Sequence, residues 1–503
     1  MRNVGAMTRS PRRRALVVAL ALVAAACGSG TGSESDPPPP AADNDDDRDT
    51  GNDHDNDRDT GNDNAADTGS DTDNVAYEYP PAPTPGRGPN PEAFEAFERL
   101  VVDLSIGGYT TLAFDEMVAA GDARHAWVVS DLLRVLQGSP DRDRLMLAFE
   151  TLTGVDPDDD PSFRRSPWKR STDHLIAWDL PAPDEYPEMK AALLTLIDDR
   201  WAPLFDDPDA EIDWRWLNWG GVLIDDRPLG ATEPCPRSCI PALDDPALVT
   251  HDEGGDWYPD DAIVFGIVEG DDAVALPRNV MEVHEMVNMT IGDRRFGIPY
   301  CTLCGSAHAY RTDAVPDGVE PPVLRTSGLL SRSNKVMFDL ETWSLFDTFT
   351  GRAVSGPLRE ADLVLEQATL VVTTWGAWRD EHPGTRIVAE DGGVGRTYEL
   401  DPLGGRDDDG PIFPVGSVDD RLDVHERVLG VIAADGTPVA FPVVDARLAL
   451  AGDAAVERAG VELFDDAGGL RARLDGDEVA AHEAFWFAWS QFHPDTELWA
   501  PDP

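Results

Sequence analysis

The spacing of apolar residues predicts an α+β chain: an N-terminal helical module followed by a β-rich, internally duplicated domain. Three observations carry this. Phe94, Phe97, Leu100, Val101 and Leu104 recur at helical spacing. From Ala262 the period changes to that of strands, as in Ile263-Val264-Phe265-Gly266-Ile267-Val268. Much later a similar unit returns, with Val428-Leu429-Gly430-Val431-Ile432, an Asp435-Gly436 turn and Pro438-Val439-Ala440-Phe441-Pro442.

The chain opens with Arg9, Arg12, Arg13 and Arg14, an apolar run from Ala15 to Ala26, and Cys27. A basic segment before a short apolar one reads as a secretory signal and is too short for a good membrane span. Ala24-Ala25-Ala26 before a cysteine resembles a bacterial lipobox. On that reading residues 1–27 are a lipoprotein signal peptide and Cys27 is acylated. The protein would then sit in the cell envelope, lipid-anchored on the extracytoplasmic face. Residues 28–90 read as an acidic, disordered tether, since the Asp, Asn, Thr and Gly runs are too poor in apolar side chains to repay ordering. The net charge is −54, and residues 81–503 alone carry 79 acidic against 34 basic side chains. That sign excludes nucleic acid as a partner and disfavours anionic lipid as a docking surface. The membrane is expected to be met through the lipid anchor; a protein partner or substrate is not identified.

Asn90-Pro91 reads as a helix cap and first helical residue. Further helical patterns run from Ala126 to Leu136 and from Leu145 to Leu152, the latter stopped by Gly154. They make residues 91–155 a helical, repeat-like module. Residues 156–234 read as a Trp/Pro-rich connecting region, whose tryptophans are expected to pack rather than to form a sugar platform. The β-rich domain then runs over 235–500, with two related units at about 255–385 and 415–500. The second unit has no cysteine and no His-Glu pair, so the chemistry is expected in the first.

That chemistry lies in Val283-His284-Glu285-Met286-Val287-Asn288 and Pro299-Tyr300-Cys301-Thr302-Leu303-Cys304-Gly305. A tight turn at Cys301-x-x-Cys304 would aim both sulfurs the same way. If the strand ending at Tyr300 neighbours the segment bearing His284, then His284, Cys301 and Cys304 form a three-ligand site with one open position, suited to copper or zinc. Glu285 is the candidate general base or outer-sphere group, with Asn288 as an alternative. His308 is a weaker fourth donor. Two other readings stay open: a structural Cys301–Cys304 disulfide in a non-catalytic binding or scaffold protein, and a thiol–disulfide oxidoreductase. Cys235 and Cys239 are candidates for a local disulfide. Whether the protein is an enzyme is left undecided.

These motifs resemble a known family. Cys239-Ile240-Pro241-Ala242, His284-Glu285-Met286-Val287-Asn288, Tyr300-Cys301-Thr302-Leu303-Cys304-Gly305, Ser327-Gly328-Leu329-Leu330, Trp375-Gly376-Ala377-Trp378, His382-Pro383-Gly384-Thr385 and Phe485-Trp486-Phe487-Ala488-Trp489 resemble the prokaryotic family known as domain of unknown function 3179. The resemblance spans roughly residues 235–500 and implies an exported or envelope setting, without an activity, cofactor or substrate. The chain departs from the commoner pattern at Thr302, where Pro is usual, and at Met289, where Asp is usual.

Overall fold

A computed structural model describes residues 77–108, 111–136, 141–405 and 410–501. The signal, Cys27 and the tether up to residue 76 lie outside the described residues. The remainder of the expected tether is laid against the helices. Arg170 stacks over the Tyr77 ring at 4.1 Å, and Trp178 donates its indole N–H to the Pro80 carbonyl. Tyr77, Tyr79 and the nearby prolines give this stretch the apolar surface that the preceding residues lack.

Helices fill residues 91–205. Pro91–Ser105 begins where expected, with the Asn90 side chain accepting from the Ala93 N–H. Ala126–Val135 and Arg142–Thr153 match the other two patterns, and Gly154 closes the latter in the left-handed conformation. Helix continues beyond 155, through Pro161–Arg165, Pro167–Ala177 and Tyr186–Ile197. Much of the predicted connecting region is therefore helical. Its prolines mislead because they stand at first-turn positions, where the missing N–H costs nothing. The tryptophans pack. Trp201 is fully buried, and Trp214 and Trp216 rest half-buried on the helical core.

Several sheets follow. Leu217–Trp219, Leu324–Ser331, Asn334–Asp339 and Leu345–Asp347 form an antiparallel sheet beside the last helices. A second sheet is ordered Glu366–Ala368, Ala309–Arg311, Arg294–Cys301, Met286–Ile291, Leu243–Asp244.

Two further sheets share one plan. In the first, Ile263–Glu269 pairs antiparallel with Asp272–Pro277 and with Val371–Thr374, and Arg386–Val388 adds in parallel. In the second, Arg427–Ile432 pairs antiparallel with Pro438–Pro442 and with Ala481–Phe485, and Glu497–Leu498 adds in parallel. Register and packing correspond as well. Gly266 lies opposite Ala275 and beneath Trp378; Gly430 lies opposite Ala440 and beneath Trp489. Each tryptophan donates to a threonine seven residues on, Thr385 at 2.9 Å and Thr496 at 2.8 Å. Each also meets a histidine four residues on, His382 and His493. A helix follows each hairpin, Arg278–His284 in one and Val443–Ala451 in the other.

Candidate functional site: a buried dithiol

Cys301 ends the strand Arg294–Cys301. One short turn, Thr302–Cys304, reverses the chain, and Ser306–Ala307 pairs back with Cys301 opposite Ser306. Gly305 makes the reversal, at φ +58°, and a Cβ there would press on the Phe485 ring at 3.0 Å. The two sulfurs point the same way and lie 2.8 Å apart as free thiols. Both are covered: Cys301 is 3% exposed and Cys304 0%. They lie in one buried cluster with Phe485 at the end of the second sheet's strand, Trp486 and Trp489 of the helix Trp486–Phe492 that follows it, and Phe349.

The pair is polarised. Cys304 donates to the Ser333 carbonyl at 3.1 Å. Burial pushes the Cys304 thiol well up, and its neighbour Cys301 adds to the rise. At Cys301 burial also opposes the thiolate, but the hydrogen bond shared with Cys304, the Lys335 backbone N–H and the Lys335 charge together bring its thiol below the ordinary value. Lys335 pairs with Glu285 at 2.5 Å, and Thr302 donates to the same carboxylate at 3.3 Å. Glu285 reaches them by taking a left-handed backbone, φ 50°, just past the helix end. So Glu285 stands beside the dithiol as an ion-pair partner of Lys335.

His284 does not join the thiols. The strands Met286–Ile291 and Arg294–Cys301 are neighbours, as the three-ligand site required. The imidazole nevertheless turns the other way. Its Nδ1–H donates to the Pro241 carbonyl at 2.7 Å, and Nε2 accepts from the Tyr398 hydroxyl at 2.8 Å. Burial lowers its pKa to about 4, so it is neutral, with both nitrogens engaged. Successive residues at a helix end face opposite sides, and it is Glu285 that faces Cys301. The ligand set His284, Cys301 and Cys304 is thus reduced to two sulfurs. Asn288 is engaged elsewhere, donating to Asp244 and to the Leu324 carbonyl.

Cys235 and Cys239 form the disulfide expected of them. With Asp225 they make the one group of three metal-type donors within 4.8 Å of one another among the described residues. Those sulfurs are spent on each other, and Asp225 pairs with Arg227 at 2.6 Å, so a metal would require reduction first. Sequence reasoning missed Ser333 and Lys335. They lie some thirty residues beyond the thiols in a hairpin without a motif of its own, and pairing in space alone delivers them.

Fold and site define an α+β protein with a buried dithiol beside a carboxylate–lysine pair. A family model described as "Protein of unknown function (DUF3179)" matches residues 237–463, which contain the whole of this site. The likeness to that family is carried by this segment. No curated protein and no solved structure matches it.

Proposed function

We propose that this is a cell-envelope protein in which Cys301 and Cys304 act as a slow two-electron redox switch, and that acylated Cys27 holds it at the membrane. One observation carries the redox reading: two buried sulfurs 2.8 Å apart, one biased toward thiolate and the other toward thiol. A bond of about 2.05 Å needs only a small closure of the turn. Oxidation forms the S–S bond and passes two electrons and two protons to an acceptor, a disulfide of another envelope thiol compound. Because aromatic rings cover both sulfurs, exchange waits on local opening. That suits a switch better than a rapidly turning-over oxidoreductase.

The corresponding registers of the two sheets support an origin by duplication. On that reading the first copy kept the thiols, and the second, without cysteine, became their cover.

The test is to equilibrate the native chain across a series of glutathione ratios, trap with an alkylating agent and map the peptides. The expected result is reversible two-electron interconversion at Cys301–Cys304. A pair that stays disulfide until the chain unfolds would make it structural. Thiols that stay reduced around a stoichiometric metal would return the copper or zinc reading.

A further inference from the structure

One hairpin tip touches both the dithiol and the aromatic cluster around it. The strands Leu324–Ser331 and Asn334–Asp339 are joined by Arg332 and Ser333 alone, with Ser331 opposite Asn334. Both turn residues are left-handed, at φ 53° and 61°. A two-residue turn with both residues at positive φ favours Asn-Gly, because most side chains resist that backbone. Arg-Ser keeps it only while the surroundings hold it there.

Two sets of contacts do so. Inward, Ser333 is buried, and its carbonyl accepts from Cys304 at 3.1 Å and, more weakly, from Cys301 at 4.0 Å. Outward, Arg332 lays its guanidinium 4.4 Å over the Trp216 ring and 5.7 Å from that of Phe492, and donates to the Gln491 carbonyl at 3.1 Å. Gln491 and Phe492 end the helix Trp486–Phe492. Phe492 in turn stacks on Phe349 at 4.5 Å, within the cluster that holds both sulfurs.

We propose that the Arg332–Ser333 turn is a latch through which the redox state of Cys301 and Cys304 sets how firmly the helix Trp486–Phe492 is seated. The inference rests on the redox reading above. On oxidation two S–H bonds break and one S–S bond forms. Two electrons and two protons pass to a small-molecule disulfide, which leaves as two thiols. The Ser333 carbonyl, still buried, then has neither S–H donor. A buried acceptor stripped of its donors is costly, and the strain of the turn is now opposed by the Arg332 contacts alone. The turn relaxes, and the end of the helix loosens with it. Linkage requires the converse as well. A seated helix favours the dithiol, and a helix without its latch favours the disulfide.

The test uses the full chain as wild type, Arg332→Ala, Arg332→Lys and Ser333→Gly. Each is equilibrated across glutathione ratios, with the oxidised fraction read by alkylation and amide exchange of residues 486–493 read by mass spectrometry. In the wild type those amides should exchange about fivefold faster in the disulfide form. Arg332→Ala should exchange fast in both forms. At a fixed glutathione ratio its disulfide-to-dithiol ratio should rise about threefold, with Arg332→Lys in between. Ser333→Gly keeps the carbonyl and removes the strain, so it should fold and exchange slowly in both forms. Wild-type amides that exchange alike in both forms, or an Arg332→Ala midpoint equal to that of the wild type, would overturn the latch and leave the redox reading standing. A wild type that does not interconvert at any ratio would overturn the redox reading, and the latch with it.

Discussion

His284 shows at the scale of one residue how a motif can be recognised and its role misassigned. The side chain is functional in appearance, yet its two hydrogen bonds, to Pro241 and Tyr398, make it a buried strut. Linkage fixes the sign of its pH effect. Its pKa is about 4 folded, against an ordinary value near 6.5, so the unfolded chain binds the proton first. Its stabilising contribution is complete above about pH 6.5, falls as pH drops toward 4, and is lost below that. The amount at stake is on the order of 3 kcal/mol. His284→Asn is expected to be less stable at pH 7 but to lose less between pH 7 and 4.5 than the wild type. Urea midpoints at the two pH values check this; parallel losses would assign the acid sensitivity to other groups. The thiols were legible from their spacing. The partner of Glu285 was not, because Lys335 is fifty residues away in sequence and arrives only through strand pairing.

At the scale of elements, each twin hairpin is held by a tryptophan laid across a glycine. The absence of a side chain at Gly266 and Gly430 lets the rings of Trp378 and Trp489 touch the strands. A methyl group at Gly266 would meet the Trp378 ring at 2.5 Å, and at Gly430 it would overlap that of Trp489. Gly266→Ala and Gly430→Ala should each cost about 1–3 kcal/mol or more, as overpacking does. Gly452→Ala is the control: φ there is −91°, and an added methyl group meets nothing nearer than 3.4 Å. Thermal melts of the three variants read the difference. A neutral Gly430→Ala would mean that the strand can step back from the ring. The hairpins themselves were plain in the sequence, because alternation and turn residues act over a few positions. The helices past residue 155 were not, because prolines at helix starts and prolines in loops have the same composition.

For the whole molecule, charge bears on the proposed anchoring. A net charge of −54 over the whole chain opposes contact with anionic lipid, so any membrane attachment would have to come from another source. Among the described residues no helix is long and apolar enough to cross a membrane. An acyl group on Cys27 supplies the retention in the proposal above. Cys27→Ser should move most of the chain from the membrane pellet to the soluble fraction, as immunoblots of fractionated cells would read. Unchanged retention would end the lipoprotein reading. Inside the body, the second sheet unit supplies Phe485, Trp486 and Trp489 over the dithiol and His482 beside His308. The first unit alone is therefore not the site.

What the sequence determined by itself is what short-range physics governs: the α+β order, the capped helices, the hairpins, the Cys301-x-x-Cys304 turn and the local Cys235–Cys239 bridge. Only the tertiary structure decided which way each side chain turned. It sent His284 to Tyr398 and Glu285 to Lys335, closed aromatic rings over the sulfurs, and set His308 against a histidine from the far end of the chain. Those outcomes depend on contacts between residues tens to hundreds of positions apart, which the local periodicity of a single sequence does not encode.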